Sequence, residues 1–207
     1  MFEGFKIIDL SPELIPGEED RRLELREYLY DFDNTYMTDI DMMSHIGVHI
    51  EAPSHYEKGL KDVSQLPLED FLGDAICLNV ESVGKGQPVT PEDLGRISET
   101  GGVRPRDILF LHSPFEGDDM PFISRELAQW MAELPIKMLG IDHTIGLEEK
   151  GQMFTHDFLL KKKDIAIIER VASLNDVPER FVFIGLPLRI RGLDSSPIRG
   201  IALVQEA

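Results

Sequence analysis

From His45 to His55 the sequence keeps two registers apart. The odd positions are His45, Gly47, His49, Glu51, Pro53 and His55, and the even ones are Ile46, Val48, Ile50, Ala52 and Ser54. Alternate residues of an extended chain point to opposite faces, so one face of this stretch is apolar and the other carries imidazoles and a carboxylate. Gly47, Val48, Ile50 and Pro53 all disfavour a helix here. The segment predicts a strand that packs one face on a core and presents ligands on the other.

Strand geometry sets a condition on that face. Residues two apart lie about 6.6 Å apart and residues four apart about 13 Å. His49 and Glu51 can therefore share one metal ion, whereas His45 joins them only if the chain bends. Gly47 lies between, and glycine inside a strand marks bulges and bends. Imidazole with carboxylate suits zinc or manganese. A second element is His156 with Glu169, which ends the apolar run 165–169. A carboxylate on an apolar face needs a partner, either a metal or solvent at the strand end.

Elsewhere, strand-like runs dominate the first half of the chain: 7–10, 38–50 and 75–80, with strand and helix competing over 22–30. Thr90 before Pro91 opens a helix. Ser124 opens another, with Leu127, Trp130, Met131 and Leu134 at helical spacing. Residues 108–111, 137–142, 165–171, 181–184 and 201–204 read as strands, and 154–162 as a helix. With no repeat or low-complexity linker, this predicts one mixed α/β domain over residues 1–207, rich in strands and poor in helices. The long loop 185–200 is a place for a site.

Several features carry less. Asp142 either supports the site or caps a turn, and His112 and His143 read as structural. Cys77, the single cysteine, sits in an apolar run and reads as a small buried hydrophobe, which excludes an intrachain disulfide. Gly84-Lys85-Gly86 is too short for a phosphate loop. Lys161 to Lys163 read as a solvated helix end. Ser44 and Ser54 adjoin histidines without a nucleophile elbow. The 38 acidic and 21 basic side chains give a formal net charge of −17, a surface that repels phosphate backbones and anionic membranes. A small-molecule substrate is expected, with no nucleic-acid or membrane partner. The N-terminal residues lack a basic segment followed by an apolar one, and no stretch approaches the roughly 18 apolar residues of a membrane span, so a cytoplasmic location is expected.

The 45–55 stretch resembles the H-x-G-T-H-x-D-x-P-x-H signature of the cyclase family of metal-dependent hydrolases, which includes kynurenine formamidases and isatin hydrolases. Val48 stands where that signature has Thr, and Glu51 where it has Asp. Residues 7–11 are similar to the family's N-terminal strand, Gly140-Ile141-Asp142 to its central G-I-D, and Ser196-Pro197-Ile198-Arg199 to its S-P-V-R. His156 with Glu169 resembles its distal ligand pair, with one extra residue between. The resemblance implies that His45, His49 and Glu51 bind one metal. It implies that Glu51, His156 and Glu169 bind a second, Glu51 bridging, and that His55 is the general acid/base. It further implies a curved, barrel-like mixed sheet with a few flanking helices, assembled as a homodimer.

The expected activity is hydrolysis of a C–N bond in an amide, formamide or lactam, arylformamidase-like, with one or two Zn2+ or, alternatively, Mn2+. Ester or lactone hydrolysis, cyclisation at the same metals, and metal-dependent binding without turnover are the alternatives. His55 weighs against the last, because a binding site needs no imidazole beside its ligands.

Overall fold

A computed structural model describes residues 4–206. Met1, Phe2 and Glu3, where the N-terminal reading begins, and Ala207 lie outside the described residues.

The elements follow the apolar patterns of the sequence. The first are strands β1 (Phe5–Asp9), β2 (Leu23–Tyr30), β3 (Thr35–Met42) and β4 (His49–Glu51), with the helical turn α1 (Pro53–Tyr56) after them. Next come β5 (Leu72–Asn79), β6 (Pro88–Val89), helix α2 (Pro91–Ile97), β7 (Ile108–His112), β8 (Phe122–Ile123) and helix α3 (Arg125–Glu133). The last are β9 (Met138–Ile141), α4 (Phe154–His156), β10 (Ala166–Glu169), β11 (Arg180–Ile184), β12 (Ser195–Pro197) and β13 (Ile201–Gln205). Nine strands form one mixed sheet in the order β1-β13-β11-β5-β7-β9-β10-β4-β12, curled into a half-barrel. The central pairs β5–β7, β7–β9 and β9–β10 are parallel, and the flanking pairs are antiparallel.

The central strands are buried on both faces, as parallel strands are. Their alternation divides the core. Leu109, Leu111, Leu139 and Ile167 pack with Leu127 and Met131 of α3 and Leu159 and Leu160. Ile108, Phe110, Met138 and Ile168 pack with Val48, Ile50, Ala52 and Phe183 on the other side. Val48, Ile50 and Ala52 of the 45–55 stretch thus do lie in a core, and burying a side chain the size of Val or Ile contributes about 1.5–3 kcal/mol. Both expected caps form: the Thr90 hydroxyl accepts from Asp93 N–H in a capping box, and the Ser124 hydroxyl accepts from Leu127 N–H.

Three segments depart from expectation. The competition over 22–30 resolves as strand: β2 and β3 form a ribbon paired only to itself. One ribbon face carries Leu25, Leu29, Tyr36 and Ile40, all exposed; the other carries Arg26 and Asp39, which pair. The run 38–50 is broken, because Gly47 adopts φ +56°, a left-handed conformation that ends extended structure. Strand geometry therefore covers 38–42, within β3, and His49–Glu51, but not the stretch between them. The helix over 154–162 keeps one α-turn and continues as a π-turn over Asp157–Lys161.

Candidate metal centre

β4 lies between β10 and β12, and its register places the first ligands. Glu169 stands opposite His49, while Ile167 and Ser195 stand opposite Glu51. His49, Glu51 and Glu169 therefore share the sheet face on which α4 packs. The bend at Gly47 folds His45 back, so that its ring centroid lies 5.0 Å from that of His49. The bend is tight: a Cβ at Gly47 would lie 2.8 Å from Leu14 Cδ2. Pro53 starts the single turn of α1, which brings the His55 ring to 4.3 Å from that of His45. α4 supplies His156.

Four imidazoles converge on Glu51. His45 Nδ1 and His55 Nε2 lie 3.0 and 3.5 Å from Oε1. His49 Nε2 lies 3.9 Å from Oε1, and His156 Nε2 3.6 Å from Oε2. The two Glu51 oxygens thus face opposite sides of the cluster. His49 Nε2 also lies 3.6 Å from Glu169 Oε2, so Glu169 enters through His49.

The far nitrogens are anchored. His49 Nδ1–H donates to the Gly47 carbonyl (2.8 Å) and His156 Nδ1–H to Glu148 Oε1 (2.8 Å). Such backing fixes the ring and the tautomer of a metal-binding histidine. Glu148 is itself held by Thr155 N–H on Oε2 (2.8 Å). His45 Nε2 and His55 Nδ1 lie 2.9 and 3.3 Å from Asp194 Oδ2. The five-residue π-turn after His156 closes i to i+5 and so takes up one residue more than an α-turn. It lies between His156 and Glu169, where the resemblance implies one residue more than the family pattern.

Burial and charge set the protonation of the cluster. Burial raises the Glu51 carboxyl, but the His156 and His45 rings outweigh it and hold Glu51 well below the carboxylate range. Burial lowers His156, yet Glu148 and Glu51 carry it up to about 9. His45 is likewise raised, the Glu51 and Asp194 carboxylates overcoming burial. His49 is lowered by burial. Burial and the neighbouring Glu51 push Glu169 up to about 7.

The donor set fits a divalent metal. His49 Nε2 and Glu51 Oε2 are buried without a hydrogen-bond partner, a costly arrangement for polar atoms unless an ion answers them. Among the described residues, three groups could hold an ion with their ligand atoms within 4.8 Å of one another: His45, His49 and Glu51; Glu51, His55 and His156; His45, His55 and Asp194. The set Glu51, His156 and Glu169 is not among these groups, because Glu169 approaches from the His49 side.

Asp194 and Glu148 were not singled out in the sequence. Glu148 lies in the polar run Glu148-Glu149-Lys150 and looks solvated, and Asp194 lies in a loop without periodicity. Its position just before the S-P-I-R stretch is the one available signal. Asp142 is a turn cap, accepting from Thr144 N–H at 2.8 Å. His143 is exposed and His112 buried, both away from the cluster. Cys77 is buried, and burial pushes its thiol up. No helix among the described residues is long and apolar enough to cross a membrane.

Comparison with known proteins gives the family. A family model described as "Putative cyclase" matches residues 8–148. A kynurenine formamidase of Bordetella avium (strain 197N) is 27% identical over 205 residues, covering 95% of this chain and 97% of its own. One of Erythrobacter litoralis (strain HTCC2594) is 32% identical over 163 residues, 77% of this chain and 73% of its own. Among solved structures, isatin hydrolase A from Labrenzia aggregata superposes with a TM-score of 0.81 at 22% identity, covering 99% of this chain and 95% of that one. Likeness at that identity concerns the fold.

Proposed function

We propose, from the premise that this chain belongs to the putative cyclase family, that it is a metal-dependent hydrolase cleaving the C–N bond of an aryl formamide or a related amide or lactam. Kynurenine formamidases similar over nearly the whole chain support the substrate class. The observation that carries the reading is the convergence of four imidazoles on Glu51, with His49 Nε2 and Glu51 Oε2 buried and unpartnered.

His45, His49 and Glu51 would hold one ion, with Glu169 joining from the His49 side, and Glu51 and His156 would hold a second. Zinc is our assignment, because a few imidazole and carboxylate donors suit its low coordination number; manganese is the alternative. When bound, such an ion supplies polarisation of the substrate carbonyl and lowers the pKa of water to roughly 7. The chain's own groups do the rest. His49 and Glu51 are almost wholly buried and orient the site, while the His55 side chain is 30% exposed. Its Nε2, 3.5 Å from Glu51 Oε1, takes the proton of the attacking water and delivers it to the leaving nitrogen, so that an amide and water give a carboxylic acid, which then releases its proton to solvent, and an amine. Glu51, held ionised, keeps the charge that this exchange needs.

Assay of the purified, zinc-supplemented protein on a panel of aryl formamides and cyclic aryl amides tests the reading. We expect hydrolysis that chelation abolishes and zinc or manganese restores. Turnover unaffected by exhaustive chelation, or zinc bound without any turnover across the panel, would refute it. We also infer a homodimer. Its support is the β2–β3 ribbon, whose apolar face is not covered by its own chain, since an isolated two-stranded ribbon is marginal in water. Light scattering at the monomer mass of 23.5 kDa would overturn it.

A further inference from the structure

Asp194 stands at the exposed edge of the cluster, where one carboxylate oxygen meets two rings. Its Oδ2 lies 2.9 Å from His45 Nε2 and 3.3 Å from His55 Nδ1. The group is held in place for this. The Ser44 hydroxyl donates to Oδ1 (3.1 Å), and the Asp194 carbonyl accepts from Ala52 N–H (2.9 Å), midway between Glu51 and the turn that carries His55. The next residue adds a tie, the Ser195 hydroxyl donating to the Ser44 carbonyl (3.1 Å). The loop and the ligand segment are thus joined on both sides of the carboxylate.

We propose that Asp194 is a positioning residue that sets the tautomers of both rings, through a single oxygen accepting from His55 Nδ1–H and His45 Nε2–H. An ionised carboxylate only accepts hydrogen bonds. A neutral imidazole has one N–H, so the nitrogen beside Asp194 must carry it, and the opposite nitrogen must present its lone pair. For His45 that lone pair is on Nδ1, 3.0 Å from Glu51 Oε1, where a metal ligand is wanted. For His55 it is on Nε2, 3.5 Å from the same oxygen, where a proton acceptor is wanted. One side chain thereby couples the readiness of the base to the correct face of a metal ligand. The inference rests on the reading of His55 as the proton carrier.

Heteronuclear NMR of the histidine ring nitrogens in the zinc-loaded protein tests it, with the His55 signals assigned by their loss in His55→Gln. We expect the wild type to show His55 protonated on Nδ1 and His45 on Nε2. Asp194→Ala should lose the fixed His55 tautomer while keeping its zinc. Its kcat on an aryl formamide should fall about 10–100-fold, the usual effect of removing a carboxylate behind a site histidine, with KM moving less than about threefold. His55 protonated on Nε2 in the wild type would overturn the proposal, as would a His55 spectrum indifferent to Asp194→Ala or zinc bound to His55 Nδ1. The wild-type spectrum decides the matter even if the alanine variant does not fold. It also needs no substrate, so a protein that hydrolyses nothing in the panel but shows these tautomers would refute the proposed function and leave the role of Asp194 standing.

Discussion

Replacing Gly47 by alanine should damage the site from outside it. Gly47 holds φ +56°, a conformation that costs an L-residue about 1–2 kcal/mol. The added Cβ would lie 2.8 Å from Leu14 Cδ2 and 3.2 Å from Cδ1. Leu14 is only half-buried and can yield, so this contact adds less than the backbone does. The lower entropy of the unfolded alanine chain offsets about 0.4–1 kcal/mol. The net loss is about 1–2 kcal/mol, a fall of roughly 2–8 °C in melting temperature for a domain of this size. The sharper consequence is local: the chain can escape the strain by unbending, and that carries His45 away from Glu51. On the proposed reading, metal affinity should therefore drop along with stability. Chemical denaturation and competitive zinc titration measure the two separately. Gly47→Asn separates the causes, because asparagine tolerates the left-handed region and still brings a Cβ. It should keep more zinc affinity than Gly47→Ala if the backbone dominates, and the same if the Leu14 contact does. Gly47→Ala with unchanged denaturation and unchanged zinc titration would refute the argument.

Three further outcomes are expected. His55→Ala should retain zinc and fold while losing on the order of 10²–10⁴ in kcat, the share of general acid–base catalysis; a rate within about threefold of wild type removes His55 from the mechanism, and loss of zinc makes it a ligand. Glu148→Ala should weaken metal binding about 10–100-fold by freeing His156 Nδ1, and elemental analysis after graded chelation would show an unchanged affinity if Glu148 is only a surface acid. In the metal-free protein, Glu169 is raised to about 7 from an ordinary 4.5, so its stability contribution is complete below pH 4.5 and is lost as pH rises through 7. Between pH 5 and 8 the wild type should accordingly lose up to about 3 kcal/mol more than Glu169→Gln, by urea denaturation in chelator, and parallel curves would contradict that burial effect.

The sequence carried much of the site because the ligands of β4 and its flanks are local. Parity placed Val48, Ile50 and Ala52 in a core and His49 and Glu51 on the opposite face, and the structure has this arrangement. The need for a bend at Gly47 was also legible, since an extended chain holds His45 too far from Glu51. Pattern could not supply residues that tertiary pairing delivers. Asp194 reaches His55 across 139 positions, and nothing periodic surrounds it. β12 is hidden because Pro197 reads against a strand, though at the sheet edge a proline is tolerated. β6 and β8, two residues each, are too short for any period to register. The π-turn after His156 leaves no mark either, since Leu159 and Leu160 suit an α-helix equally well.

The strand order also sets a timetable. β4 pairs with β10 on one side and β12 on the other, and both emerge from the ribosome long after it. At synthesis rates of about 5–20 residues per second, roughly 7–28 s pass between the appearance of His55 and that of Asp194, 139 residues later. During that interval the nascent chain offers three imidazoles and a carboxylate on and beside a three-residue strand with no neighbour. An ion captured then would meet loose ligands free to choose their own geometry. Cofactor loading that yields the right arrangement thus belongs to the last moments of synthesis or to the released chain, and a product stalled before residue 194 would carry most of the ligands of a centre that it has no means to assemble.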